Sequence, residues 1–123
     1  MAEILYKELA YAIVGAAMEV HRTLGPGFLE SVYQRALVHE LQLRQIAFVE
    51  YQRLPVRYKN HLVGEFEADL VVDDKVILEL KAVSALTAAH AAQAQHYLAA
   101  TGLRLALLLN FGSKSLETKR VVK

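Results

Sequence analysis

The stretch Phe66-Glu67-Ala68-Asp69-Leu70-Val71-Val72-Asp73-Asp74-Lys75-Val76-Ile77-Leu78-Glu79-Leu80-Lys81 constrains the chain most, because it sets charged side chains inside strands that otherwise look buried. Apolar, β-branched runs on either side of Asp73-Asp74-Lys75 predict a hairpin. Side chains alternate faces along a strand, so Glu79 and Lys81 share one face with Ile77, and Leu78 and Leu80 take the other. A three-residue loop pairs Val72 with Val76, and counting back then sets Asp69 directly opposite Glu79. A two-residue loop would turn Asp69 to the wrong face.

Two carboxylates opposed on one face of a sheet repel unless a cation lies between them. A divalent metal removes the conflict, and hard oxygen ligands suit Mg²⁺ or Mn²⁺, with water and a substrate phosphate oxygen completing the shell. Lys81, two residues beyond Glu79, is placed to act on the attacking water and on developing phosphate charge. The competing reading is an exposed sheet face with a cluster of Asp, Lys and Glu.

The remaining chain arranges itself around this segment. Its 123 residues, 54% of them apolar, suit one domain. Leu5, Leu9, Ile13, Ala16, Ala17 and Val20 recur at helical spacing over about Glu3 to Arg22. Gly25-Pro26-Gly27 stops that helix, and a second runs from about Phe28 to Arg44. Phe48 to Tyr58 reads as a strand, Lys59-Asn60-His61 as a turn, Leu62 to Val72 and Val76 to Val83 as the next strands. Thr87 caps a third helix ending at Gly102, and Leu103 to Phe111 is fit for a central strand. The order is α-α-β-β-β-α-β, an α/β fold. Residues 1–24 form an N-terminal helix, 27–112 the core, and 113–123 a modestly basic tail that is either a solvated strand or a polyanion contact.

Charge and composition exclude several classes. Fourteen basic and thirteen acidic residues leave +1, so a polyanion must be held by a local patch. The lack of cysteine removes disulfides, thiolate zinc sites and thiol nucleophiles, and fits a reducing compartment. The N-terminus carries Glu3 where a secretory signal needs positive charge, which points to the cytoplasm. Residues 82–103 hold no formal charge, but Ser84, Thr87, His90, Gln93, Gln95, His96 and Thr101 favour a packed internal helix over a membrane span.

Helix two places Glu30 on the arc of Tyr33, Leu37 and Leu41, so its carboxylate is expected to point inward, toward a metal or toward a hydrogen-bond donor. Glu40 falls on the same arc and receives no role. His90, Gln93 and Tyr97 share a face of helix three, either bordering a site or bonding to neighbouring strands. His21, His39, His61 and His96 lack metal-ligand spacing and read as surface or boundary residues. No Gly-rich phosphate loop, Ser-His-Asp set or zinc pattern is present.

This order of elements, with Asp69 followed by Glu79-Leu80-Lys81, resembles the PD-(D/E)XK nuclease superfamily, whose αβββαβ core carries an acid on its second strand and E-x-K on its third. Ala68 stands where the family name has proline. Gly27-Phe28-Leu29-Glu30-Ser31-Val32-Tyr33 is similar to the signature of the small prokaryotic G-x-x-E-x-x-Y family, as are Leu54-Pro55-Val56-Arg57-Tyr58-Lys59 and Leu109-Asn110-Phe111-Gly112. Gln93 and Tyr97 fit the Q-x-x-x-Y pattern that borders the nucleic-acid site in related exonucleases. The resemblance implies a mixed four-stranded sheet flanked by helices, preceded here by an extra helix. It also implies Mg²⁺- or Mn²⁺-dependent phosphodiester hydrolysis with Asp69, Glu79 and Lys81 as catalytic residues. Asp69, Glu79 and Glu30 would be metal ligands, and Gln93 and Tyr97 would contact the DNA or RNA substrate. The alternatives are a non-catalytic module that binds nucleic acid or protein, and a homodimer joined through the first helix.

Overall fold

Gly25-Pro26-Gly27 separates two helices that lie on the same side of one sheet. The structure, a computed structural model, describes residues 3–123. Helix α1 (Lys7–Leu24) buries Ala10, Ile13, Ala16, Ala17 and Val20, and ends where Gly25, at φ 70°, donates its N–H to the carbonyl of His21. Helix α2 (Glu30–Leu43) buries Tyr33, Leu37 and Leu41 against the same core. Both helices begin later than their apolar periodicity suggests, because Tyr6 is left-handed and Leu29 is extended.

The strands are β1 (Phe48–Tyr58), β2 (His61–Val72), β3 (Val76–Lys81), β4 (Leu105–Asn110) and β5 (Glu117–Val122), ordered β1-β2-β3-β4-β5 in one sheet. Only the β3–β4 pair is parallel; the helix α3 (Ala88–Thr101) connects those two strands. Leu70, Val72, Leu78, Leu80, Leu105, Leu107 and Leu109 face α1 and α2, whereas Val71, Ile77, Ala106 and Leu108 face α3. All six β4 residues are buried, as a strand covered on both faces requires.

Two expectations change. Lys59 and Asn60, at φ 49° and 65°, form a two-residue turn, so His61 is the first residue of β2, opposite Tyr58. The sheet also holds five strands instead of four. The tail takes the strand reading: residues 117–122 pair antiparallel with β4 and cover an edge whose exposure would leave a strand that is apolar up to Asn110 open to other chains. The uncharged segment 82–103 contains α3, which packs Ala94 and Leu98 against the sheet. No described helix is long and apolar enough to cross a membrane.

Candidate active site

The β1–β2 ladder breaks at Asp69. Glu50 pairs with Leu70 and Gln52 with Ala68, but the intervening residues Tyr51 and Asp69 do not pair. Tyr51 is left-handed at φ 52°, a costly conformation for an aromatic residue. Phe66 and Ala68 face α3, yet Leu70 and Val72, of the same parity, face α1 and α2. The strand therefore turns over at Asp69. The buried amide of Gln34 donates to the free Asp69 carbonyl at 3.0 Å and to the Glu50 carboxylate at 3.3 Å.

On its other side β2 follows the register set by the three-residue loop: Val72 faces Val76, Val71 faces Ile77 and Leu70 faces Leu78. One step further the ladder stops. The Asp69 carboxylate enters the gap and accepts the Leu80 N–H at 2.7 Å. Asp69 and Glu79 thus meet where the sheet opens, and Glu79 is only 8% exposed. Its carboxyl is pushed up to about 8, first by burial, then by the charge of Asp69 and a hydrogen bond to the Asp69 side chain; the Lys81 ammonium pulls the other way. A proton held by Glu79 relieves the repulsion that a cation would otherwise relieve.

Glu30 differs from the inward-facing acid that the helical arc suggests. It is the first residue of α2, where no further turn covers it, and it is exposed. Its carboxyl is nevertheless raised, first by partial desolvation and then by Asp69, with Lys81 opposing, so it shares the electrostatic field of the strand carboxylates. The carboxylate approaches from the helix layer opposite α3. Tyr33 fixes that approach: fully buried, its hydroxyl donates to the Gly25 carbonyl at 2.5 Å and accepts the Phe28 N–H at 3.2 Å. The Tyr33 ring stacks on Phe111 at 4.8 Å. Glu40 pairs with Arg44 at 2.7 Å, in keeping with its lack of a role.

From the other layer, Tyr97 stacks on Phe66 with ring centroids 3.9 Å apart. Its hydroxyl is raised by burial first, then by Glu79 and Asp69, while a hydrogen bond from Gln93 lowers it. Gln93 and Tyr97 therefore border the carboxylates, with Gln93 exposed. His90 serves the helix: it exchanges hydrogen bonds with Thr87 in a capping box. His21 is buried, unlike the boundary residue expected, and its Nε2 lies 2.9 Å from the Ser113 carbonyl.

Sequence reasoning missed the supports of this site. Gln34 was hidden among residues of an ordinary amphipathic helix. Asn110, the last residue of β4, is fully buried; it donates to the Val83 carbonyl (2.9 Å) and the Glu117 carboxylate (3.1 Å), and accepts N–H groups from Val83 and Gly112 (both 3.0 Å). This latch fixes the chain just after Lys81. The Leu-Asn-Phe-Gly run was its only signal.

The entry of an acid between β2 and β3, with Glu79, Lys81 and a Gln-Tyr pair around it, agrees with a comparison against protein families: the PD-(D/E)XK nuclease superfamily matches residues 7–121. The chain belongs to the PD-(D/E)XK nuclease superfamily. Neither a curated protein nor a solved structure matches it closely enough to count. Nucleases of the PD-(D/E)XK superfamily generally use divalent metal ions and act on nucleic acid. Among the described residues, no three His, Asp or Glu side chains converge tightly enough to hold a metal by themselves.

Proposed function

We propose that the chain hydrolyses phosphodiester bonds of DNA or RNA with Mg²⁺ or Mn²⁺, as a single nuclease-like domain acting in the cytoplasm. The observation that carries this reading is the contact of Asp69 and Glu79 beside Lys81, at the one place where the β2–β3 ladder opens. The paired carboxylates fit a hard divalent cation, with Glu30 supporting from α2 and substrate phosphate and water supplying the remaining oxygens. Such a cation, when bound, supplies Lewis-acid stabilisation of the phosphate charge.

The side chains carry the other tasks. Lys81 orients the attacking water and stabilises negative charge on a non-bridging phosphate oxygen. Water oxygen joins phosphorus as the bond to the departing sugar oxygen breaks; the attacking water gives up one proton to solvent and the departing oxygen takes one from solvent, leaving a phosphomonoester and a free hydroxyl. Tyr97 and Gln93 donate hydrogen bonds to the substrate from the α3 side. Arg53, Arg57 and Lys59, all exposed, hold phosphates further along the β1–β2 hairpin. The position of Tyr33 beneath the loop that leads to Glu30 supports placing the chain within the G-x-x-E-x-x-Y family.

A second reading draws on the exposure of Glu30 and on the two-carboxylate centre: a nuclease-like module that binds nucleic acid or protein without cleaving. Incubation of the purified protein with Mg²⁺ or Mn²⁺ and single- or double-stranded DNA and RNA separates the two. Cleavage that disappears in Lys81→Ala and Glu79→Ala supports hydrolysis. Absent cleavage, or cleavage that survives both changes, overturns it. Calorimetric cation binding that weakens in Asp69→Asn supports the carboxylate pair as the ligand set.

A further inference from the structure

We infer that Leu29, with the edge of Phe28, seats a nucleobase beside the scissile phosphate, so that the site takes an unpaired strand of DNA or RNA. The inference rests on the reading of Asp69, Glu79 and Lys81 as a phosphate-binding centre, and it names the part of the substrate that flanks the phosphate.

Leu29 is the N-cap of α2, the position where Ser, Thr, Asn or Asp satisfies the free N–H groups of a helix. It makes no side-chain cap, and it is 76% exposed. The same chain caps α3 in the ordinary way, with Thr87 accepting the His90 N–H. An apolar residue at the start of α2 therefore forgoes a cap and gains no burial in return. The backbone around it is nonetheless held on both sides. The Tyr33 hydroxyl ties Gly25 to Phe28, the Phe28 ring meets the Tyr33 ring edge-on at 6.1 Å, and the Val32 N–H donates to the Leu29 carbonyl at 3.0 Å. A side chain presented on so fixed a backbone loses little freedom when something packs on it.

Position and chemistry select the occupant. Leu29 precedes Glu30, whose carboxyl feels both Asp69 and Lys81, so whatever covers Leu29 lies next to a phosphate held there. Glu30 is the only charged residue between Arg22 and Arg35, so the segment leading into α2 offers apolar surface and no cation. Its exposed large apolar side chains are Phe28 (49%), Leu29 and the margin of Val32 (37%), far less than the roughly 800 Å² that a stable protein partner covers and on the scale of a single base. In a duplex the base faces are covered by their neighbours and the edges in the grooves are mostly polar. An unpaired base offers its apolar face. Gln93 and Tyr97, on the α3 side of the carboxylates, supply the polar contacts.

Fluorescence anisotropy tests the seat without turnover. The probes are a labelled single strand of about 12 nucleotides and the blunt duplex of the same sequence, with Mg²⁺ and in the Lys81→Ala background, which keeps both carboxylates. The single strand is expected to bind at least about 10-fold more tightly than the duplex. Leu29→Ser should weaken single-strand binding about 10-fold yet melt at a higher temperature, because serine supplies the missing cap, whereas Leu29→Met should keep the affinity. A 2-aminopurine in the strand should brighten on binding as it leaves its neighbours, and should stay dim with Leu29→Ser. Equal affinity for strand and duplex, a Leu29→Ser variant that binds unchanged, a loss of affinity accompanied by a lower melting temperature, or no binding of either probe overturns the inference. A parent chain that fails to cleave while the strand still binds through Leu29 overturns hydrolysis and supports the seat.

Discussion

The Asp69 carboxylate accepts the backbone N–H of Leu80 at 2.7 Å, so the acid on β2 replaces a ladder bond and holds the strand that carries Glu79 and Lys81 on either side of Leu80. One oxygen of Asp69 is structural, and the other is available to the neighbouring carboxylate.

This double duty separates two substitutions at one position. Asp69→Asn keeps a carbonyl oxygen for Leu80 and removes the charge facing Glu79; stability is expected to hold or rise while cation binding falls. Asp69→Ala leaves the Leu80 N–H without an acceptor and is expected to cost about 1–3 kcal/mol. Urea denaturation of both variants checks this. Equal losses would show that Leu80 does not depend on the side-chain oxygen.

Glu79 gives the second prediction. Its carboxyl titrates at about 8 in the folded protein and near 4.5 when unfolded, so the folded state holds a proton that the unfolded state releases. Stability without a divalent cation is therefore greatest below about pH 4.5 as far as this group is concerned, and is lost as pH rises toward about 8. Added Mg²⁺ or Mn²⁺ should raise the melting temperature more at alkaline pH than at acidic pH. Glu79→Gln should flatten the pH slope, melt higher than the parent at alkaline pH, and lose the response to the cation. Identical pH profiles for parent and variant would remove Glu79 as the source.

Those two acids were legible because strand periodicity and a three-residue turn are local properties, and the E-x-K spacing fixes which side chains share a face. The discontinuity around Asp69 was not legible: it depends on a left-handed Tyr51 and on the Gln34 amide arriving from a helix 35 residues away in sequence. Glu30 illustrates the limit of helical arcs, since a first-turn residue lies on the inward arc without a neighbouring turn to bury it. The tail was ambiguous because an edge strand needs only one apolar face, and Val121 is the only buried residue among its six.

Asn110 supports the third prediction. Every polar atom of its side chain is engaged, and the backbone N–H of Phe111 also donates to the Lys81 carbonyl at 2.8 Å, so the latch ties β4 to the exit of β3. Asn110→Ala is expected to destabilise the fold by about 1–3 kcal/mol for each buried group left unpaired. Gly112→Ala should be harmful without removing any hydrogen-bonding group, because a Cβ there would lie 2.4 Å from the Val83 backbone nitrogen and oxygen. Glu117 adds an acid dependence: hydrogen bonds from the Leu86 N–H and the Asn110 amide hold its carboxyl below the usual range. This contribution is present above the unfolded value of 4.5 and is lost as pH falls through the lower folded value, so Glu117→Gln should lessen the acid sensitivity of the parent. Hydrogen exchange at Val83 and Leu86 reads the latch directly, and unchanged protection at both amides in Asn110→Ala would show that the loop after Lys81 is held by something else.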